Sequence, residues 1–205
     1  MKLIAKVCGL TRAGDTRFAL DLGADLVGFV HHLPSPRHCR DIEAASAGAG
    51  ERGVLVRVGN DADAMIKQAR AADLGWVQPH AGEARAEVAR ALKAAGLKVL
   101  LPWPDEPGQE GIEADLYLWE PSPAVTGVQG GSGESHAALH PPPGPFLLAG
   151  GLDGTTLQQR LGSLPSDAKC FLRGVDAASR LESSPGLKDP VKVAAFLENA
   201  HALHL

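Results

Sequence analysis

The stretch Lys2-Leu3-Ile4-Ala5-Lys6-Val7-Cys8-Gly9-Leu10-Thr11 opens the chain with an apolar segment that ends at a thiol and a glycine. Its Leu3–Val7 run predicts a short strand that is buried on both faces. Gly9 allows a sharp turn, and Thr11 is placed to cap the helix predicted over Arg12–Leu22. The stretch therefore predicts one strand–turn–helix unit of a parallel α/β fold.

The same unit recurs along the chain. Seven further apolar runs predict strands over Leu26–Val30, Val54–Val58, Trp76–Gln78, Val99–Trp103, Leu116–Trp119, Phe146–Ala149 and Phe171–Val175. Alanine-rich segments with helical spacing lie between most of them, over Asp61–Ala72, Glu83–Ala95, Thr155–Leu161 and Pro190–Ala200. Asp61 and Asp189 are placed to cap two of these helices, and Gly23 and Gly96 lie where helices are expected to end.

Eight such units in 205 residues predict an α/β fold, a single small (β/α)8 TIM barrel that spans residues 1–205 as one domain. We expect helices 5 and 6 to be short or degenerate. Pro104–Glu113 is rich in proline, glycine and acid, and Ser135–Pro145 carries three consecutive prolines. A doubly wound open sheet is the structural alternative, but it usually has fewer strands and one dominant glycine-rich phosphate loop.

The composition limits the partners. Hydrophobic residues make up 44% of the chain, and the net charge of −4 has mixed signs, so a basic face for nucleic acid is not expected. No apolar run approaches the roughly 20 residues of a membrane span, and the N-terminus lacks the apolar core of a signal peptide. The widely spaced Cys8, Cys39 and Cys170 suggest neither a disulfide framework nor a zinc site. We therefore expect a cytoplasmic enzyme that binds neither nucleic acid nor membrane.

Residues at the carboxyl ends of barrel strands meet at one mouth, where ligands bind. Cys8 at such an end is a candidate base or nucleophile, or alternatively a small buried hydrophobe. Glu120 directly follows an apolar run and is a candidate acid, or an exposed carboxylate past the strand. Arg37 could clamp a carboxylate or lie on the surface in water. His80 has no second ligand at metal-binding spacing, so we expect no metal site.

Glycine clusters follow the last strands of the predicted barrel. They comprise Gly130-Gly131, Gly150-Gly151 and the Gly174 segment that leads to Ala178-Ser179. Such loops expose backbone N–H groups to an anion, and the loops after strands 7 and 8 form the usual phosphate site of this fold. Each cluster alone could be only a tight turn, but three at consecutive strand ends favour a phosphorylated small-molecule ligand.

In order along the chain, these segments resemble the phosphoribosylanthranilate isomerase family. The matching segments are Lys6–Thr11, Gly28–Val30, Ser35–Arg37, Val77–His80, Gly130–Gly133, Leu148–Leu152, Gly174–Asp176, Glu182–Gly186 and Lys188-Asp189. They extend over nearly the whole chain. The resemblance implies a (β/α)8 barrel and an isomerase of tryptophan biosynthesis. It also implies an Amadori rearrangement of N-(5-phosphoribosyl)anthranilate that needs neither a metal nor an organic cofactor.

The resemblance also implies roles for individual residues. Cys8 is expected to be the general base that removes the proton from C2 of the sugar, and Glu120 the acid that protonates the ring oxygen. Arg37 is expected to hold the anthranilate carboxylate, and Asp176 to lie near the ribose hydroxyls. Further expected substrate-binding residues are Gln78 and His80, and the expected phosphate-binding residues are Gly130, Gly131, Gly150, Gly151, Ala178 and Ser179.

The chain departs from the family pattern at the acid. The family generally has Asp where this chain has Glu120, whose carboxyl reaches about 1.5 Å further because of one more methylene. A misplacement of about that size can cost ~10²-fold in rate. Two other functions therefore stay open: a barrel that binds a phosphorylated ligand with weak or lost catalysis, and an isomerase of a related aminoaldose phosphate. We expect a monomer or a homodimer.

Overall fold

The eight predicted apolar runs form eight parallel strands that close into one barrel in chain order. The computed structural model describes residues 2–104, 111–120 and 140–203. The strands are β1 (Ile4–Cys8), β2 (Leu26–His31), β3 (Gly53–Val58), β4 (Trp76–His80), β5 (Lys98–Trp103), β6 (Leu116–Trp119), β7 (Phe146–Leu148) and β8 (Leu172–Ala177). The predicted TIM barrel is confirmed, and the alternative of an open sheet is wrong because β8 pairs with β1.

Helices surround the barrel. They are α1 (Ala13–Asp21), α2 (Ile42–Ala45), α3 (Ala62–Ala71), α4 (Arg85–Ala94), α5 (Leu157–Gly162), α6 (Ser166–Lys169) and α7 (Pro190–Ala202). After β8, a 3₁₀ turn over Ser179–Leu181 leads into an antiparallel hairpin of β9 (Glu182–Ser184) and β10 (Leu187–Lys188). The sequence did not predict α2, α6 or the hairpin, because each is too short to show a periodic pattern.

The strands divide their side chains between two apolar clusters. Leu116 and Leu118 of β6 belong to the inner cluster inside the barrel, whereas Tyr117 and Trp119 belong to the outer cluster beneath the helices. This alternation is the period of two expected of a strand. By the same alternation, Glu120 continues the inner row at the carboxyl end of β6.

The helix ends test the local predictions. Asp61 and Asp189 accept backbone hydrogen bonds at the starts of α3 and α7, and Gly23 follows α1 with φ +90°, as predicted. The prediction that Thr11 caps α1 is wrong. The helix begins at Ala13, so Thr11 lies one residue too early, and its hydroxyl donates instead to the Gly186 carbonyl of the β9–β10 turn at 2.7 Å.

The segments expected to carry weak helices are only partly described. Between β5 and β6, the described residues 104 and 111–115 contain no helix. Between β6 and β7, residues 140–145 contain none either. The prediction of a short or degenerate helix between β5 and β6 agrees with the described residues there. Gly130 and Gly131, which are expected to bind phosphate, lie outside the described residues.

Candidate active site

Cys8 ends β1 with its side chain directed at β2. It is paired in register with Gly28, and a Cβ added to Gly28 would lie only 2.8 Å from Cys8 Sγ. The same added Cβ would lie 3.3 Å from Lys6 Nζ. Lys6 and Cys8 are two residues apart on one strand and therefore share its inner face. The glycine leaves the space in which a thiol and an ammonium group meet.

Lys6 is a fully buried lysine inside the barrel. Its Nζ donates to Asp176 Oδ1 of β8 at 2.7 Å and to Gln78 Oε1 of β4 at 3.1 Å. A buried charge needs such partners, because taking an ion out of water is expensive. The structure therefore brings Lys6, Cys8, Gln78 and Asp176 together, although they come from three separate strands.

Hydrogen bonding also fixes the orientation of His80. Lysine can only donate, so Gln78 Oε1 accepts from Lys6 and Gln78 Nε2 is left to donate to His80 Nε2 at 3.0 Å. This assigns the ring proton of a neutral His80 to Nδ1. Burial, with smaller effects of Lys6 and His32, lowers the pKa of His80, which keeps the ring neutral at pH 7.

The charges of this cluster depend on one another. Burial raises the pKa of the Cys8 thiol, Lys6 opposes that rise by attraction and a hydrogen bond, and Asp176 adds to it. Burial alone would lower the pKa of Lys6, but the attraction of Asp176 and Cys8 outweighs it, so the pKa is raised. Lys6 is therefore an ammonium group at neutral pH, and most of Cys8 is a protonated thiol before any ligand binds.

Arg37 lies in the turn after β2 and is held by the hairpin. Its Nε and Nη2 donate to the two carboxylate oxygens of Glu182 at 2.8 and 2.9 Å. Lys188 Nζ donates to Glu182 Oε1 at 3.1 Å and to the Ala178 carbonyl at 3.0 Å. This fork geometry is the strong form of an arginine–carboxylate pair. Arg37 is therefore not a freely solvated arginine, because its guanidinium is held in one orientation by Glu182.

Glu120 is exposed at the end of β6, beside the turn that follows β7. A Cβ added to Gly150 would lie 2.9 Å from Glu120 Cγ, 3.3 Å from its Oε1 and 3.5 Å from Arg160 Nη2. Glu120 attracts the guanidinium of Arg160 electrostatically. The Glu120 carboxylate thus lies over Gly150, next to the guanidinium of Arg160 in α5.

The turns after β7 and β8 are joined by one carboxylate, and only the first of them contains glycines, because Gly174 lies within β8. Gly150 and Gly151 have φ values of +93° and +62°, as their turn requires. Asp153 Oδ1 accepts from the backbone N–H groups of Thr155 and Thr156, each at 2.8 Å. Its Oδ2 accepts from Arg180 Nη1 at 2.9 Å, within the Ser179–Leu181 turn after β8. The expected phosphate-binding residues Gly150, Gly151, Ala178 and Ser179 thus lie on two turns that are tied together.

Sequence reasoning missed four residues of this region. They are Lys6, Asp153, Glu182 and Lys188. For Lys6 a signal was present: a lysine in an apolar strand, two residues before the thiol, must be buried on the same face. Glu182 and Lys188 lie in segments that resemble the family, but their roles depend on a hairpin too short to predict and on Arg37, which is 145 residues from Glu182. Asp153 bonds the nearby Thr155 and Thr156, but its pair with Arg180 spans 27 residues and could not be predicted.

The described ranges contain neither a candidate metal site nor a candidate membrane span. No group of three or more His, Cys, Asp or Glu side chains there could hold a metal ion. No helix in that part of the chain is long and apolar enough to cross a membrane. Fold and site together define the class: a (β/α)8 barrel that gathers ionisable side chains at the carboxyl ends of its strands, where enzymes of this fold bind their ligands.

Comparisons with known proteins give the family. The family model for N-(5'-phosphoribosyl)anthranilate (PRA) isomerase matches residues 5–199. The N-(5'-phosphoribosyl)anthranilate isomerase of Beijerinckia indica is 34% identical over 219 residues, covering 98% of this chain and 95% of the relative. The chain therefore belongs to the N-(5'-phosphoribosyl)anthranilate isomerase family, and it is an isomerase, as the resemblance implied.

Solved structures agree with this assignment. TrpF from Jonesia denitrificans has a TM-score of 0.76 and 25% identity, covering 97% of this chain and 96% of its own. A phosphoribosyl anthranilate isomerase in complex with reduced 1-(o-carboxyphenylamino)-1-deoxyribulose 5-phosphate has a TM-score of 0.70 and 22% identity. It covers 98% of this chain and 100% of its own. The second likeness shows the fold.

Proposed function

We propose that the chain converts N-(5-phosphoribosyl)anthranilate into 1-(2-carboxyphenylamino)-1-deoxyribulose 5-phosphate, with Cys8 as general base and Glu120 as general acid. The observation that carries the proposal is the family match over residues 5–199. It is supported by a thiol and a carboxylate at the ends of β1 and β6, which open on the same mouth of the barrel. The reaction belongs to tryptophan biosynthesis.

The first step opens the ribose ring. Glu120 gives its proton to the ring oxygen while the bond from that oxygen to C1 breaks, and the anthranilate nitrogen forms a protonated imine with C1. A carboxylic acid suits this step because it both donates a proton and, as a carboxylate, later accepts one. The exposure of Glu120 at the mouth supports this role, since the carboxyl must reach a ligand there.

The second step moves a proton from C2. The thiolate of Cys8 takes this proton, and the electron pair of the C–H bond forms a double bond between C1 and C2 while the imine becomes an amine. The enolamine then gains a proton at C1 and loses the proton of the C2 hydroxyl, which leaves the ketone. No electrons enter or leave, so the proposed reaction needs no redox cofactor.

The remaining predicted residues would bind the two ends of the substrate. Arg37 keeps Nη1 outside its pair with Glu182, and its fixed guanidinium suits an anthranilate carboxylate. Asp176 would face the ribose hydroxyls, with Gln78 and His80 beside it. The turns at Gly150-Gly151 and Ala178-Ser179 would offer backbone N–H groups to the phosphate.

Purified protein mixed with phosphoribosylanthranilate tests the proposal, because the substrate is fluorescent and its consumption can be followed directly. We expect turnover by the wild type, and losses of at least ~10²-fold in kcat for Cys8→Ala and for Glu120→Ala. A Cys8→Ala enzyme as fast as the wild type would refute the role of the thiol. Binding of a product analogue without any turnover would favour instead a barrel that only binds a phosphorylated ligand.

A further inference from the structure

The proposed reaction gives no task to Lys6, although burying a charged ammonium group inside the barrel is costly. It is completely buried, and lysines are almost never fully buried unless they are paired. Two of its three ammonium N–H groups donate hydrogen bonds to Asp176 and Gln78. The third proton remains for a neighbour on the inner face of the barrel.

Cys8 is that neighbour. A single added Cβ on Gly28 would touch both Cys8 Sγ and Lys6 Nζ, at 2.8 and 3.3 Å, so the two groups border the same small space. Lys6 and Cys8 also interact by charge. An ammonium beside a sulfur favours the thiolate over the thiol.

We propose that Lys6 is a positioning residue that stabilises the Cys8 thiolate and keeps its sulfur aligned at the barrel mouth. The proposal rests on the proposed function only in that it names the base of that reaction. Lys6 stays protonated throughout, because Asp176 accepts its hydrogen bond before and after the proton moves from C2 to sulfur. The lysine therefore changes how readily the thiolate forms without exchanging a proton itself.

The other charges near the thiol set the sign of the effect. Asp176 of β8 disfavours the thiolate, and Lys188 of β10 favours it with a smaller effect than Lys6. Lys188 contacts Glu182, which also forms an ion pair with Arg37, so the charges of Glu182 and Arg37 offset each other. His80 faces Lys6 through Gln78 and is neutral at pH 7. Lys6 is therefore the dominant cation acting on the sulfur.

The pH dependence of Cys8 alkylation by iodoacetamide tests the proposal, with each cysteine followed separately by peptide mass spectrometry. In Lys6→Met, we expect the inflection of the Cys8 rate to move up by about one pH unit or more, which means about tenfold slower alkylation at a given pH below it. In Asp176→Asn, the inflection should move down. Lys188→Met should move it up by less than Lys6→Met.

The other two cysteines serve as internal controls. Cys170 is exposed and should alkylate with the same pH profile in every variant. Cys39 is 0% exposed, whereas Cys8 keeps 7% exposure, so Cys39 should react only if a variant unfolds. Lys6→Met leaves Asp176 buried without its cation, so the double variant Lys6→Met with Asp176→Asn keeps the interior neutral. Its Cys8 inflection should still lie above that of the wild type, since Lys6 acts on the thiol more strongly than Asp176.

An unchanged Cys8 inflection in folded Lys6→Met and in the double variant would overturn the proposal, because Lys6 would then be only a structural partner of Asp176. The measurement does not involve turnover. A protein that fails to consume phosphoribosylanthranilate but shows the shift would refute the proposed function and leave the role of Lys6 standing. An active isomerase without the shift would do the reverse.

Discussion

Single residues set the chemistry at the barrel mouth, and Gly28 is the one whose missing side chain matters most. We predict that Gly28→Ala lowers kcat by at least ~10²-fold, because its methyl group would lie 2.8 Å from Cys8 Sγ and displace the proposed base. The control is Gly14→Ala in α1, where an added Cβ meets nothing within 4 Å. That control should keep full activity and gain roughly 0.5–1 kcal/mol in free energy of unfolding. Equal activity of the two variants would contradict the prediction.

The length of the Glu120 side chain can be tested, because the family generally has the shorter Asp at this position. Glu120 Cγ passes over Gly150, at a place where any side chain on Gly150 would collide with it. We expect Glu120→Asp to lower kcat about tenfold or more, since the carboxyl would withdraw by about 1.5 Å from its proposed target. Steady-state assays of both forms measure this effect. A Glu120→Asp enzyme faster than the wild type would show that the glutamate is poorly placed.

Short elements decide how the ends of the substrate would be held, and the β9–β10 hairpin is the clearest case. Glu182 grips Arg37 with both oxygens, and its side chain is only 5% exposed. We predict that Glu182→Gln raises KM for phosphoribosylanthranilate about tenfold or more, because a loss of ~1.4 kcal/mol in carboxylate binding corresponds to tenfold. Ser183→Ala, an exposed change on the same hairpin, should leave KM unchanged. A drop in kcat alone for Glu182→Gln would contradict this role for Arg37.

The turns after β7 and β8 depend on Asp153. Burial would raise the pKa of its carboxyl, but hydrogen bonds from Thr155, Arg180 and the Thr156 backbone outweigh that effect and hold the pKa far below its usual value. A lowered pKa stabilises the fold at neutral pH, and this stabilisation is lost as the pH falls through and below the ordinary Asp value of about 3.9. Asp153→Asn should therefore lower the free energy of unfolding by roughly 1.5–3 kcal/mol at pH 7.

Urea unfolding at several pH values measures this difference between wild type and Asp153→Asn. The difference should shrink as the pH is lowered from 5 towards 2, because Asp153 of the unfolded wild type takes up a proton over this range while the folded state still holds the carboxylate. We also expect KM to rise in the variant, since the two turns proposed to bind phosphate would no longer be tied together. A stability difference that is constant over this pH range would contradict the assignment.

At the scale of the whole molecule, local pattern predicted the barrel but not its contacts. The apolar runs and the helix caps at Asp61 and Asp189 depend only on neighbouring residues, so they could be found in the sequence. The pair of Lys6 with Asp176 spans 170 residues, and that of Arg37 with Glu182 spans 145. Such contacts exist only once the barrel has closed, which is why no spacing rule could predict them.

The same limit applies to the candidate site. Strand ends such as Cys8, Gln78 and Asp176 could be predicted because closing a parallel barrel brings all its carboxyl ends to one mouth. The order of charges within that mouth depends on side-chain geometry across strands, so the pairing of Lys6 with Asp176 and Gln78 could not be predicted. A cytoplasmic location, a monomer or homodimer and the lack of a cofactor stay predictions.

The most direct test of the central claim is the growth of a tryptophan auxotroph that lacks phosphoribosylanthranilate isomerase. We predict that a plasmid carrying this chain restores growth without tryptophan. The Cys8→Ala variant, made at the same level, should not restore it. Failure of the wild-type chain to restore growth while soluble protein accumulates, or rescue by Cys8→Ala equal to that by the wild type, would contradict an isomerase that uses Cys8 as its base.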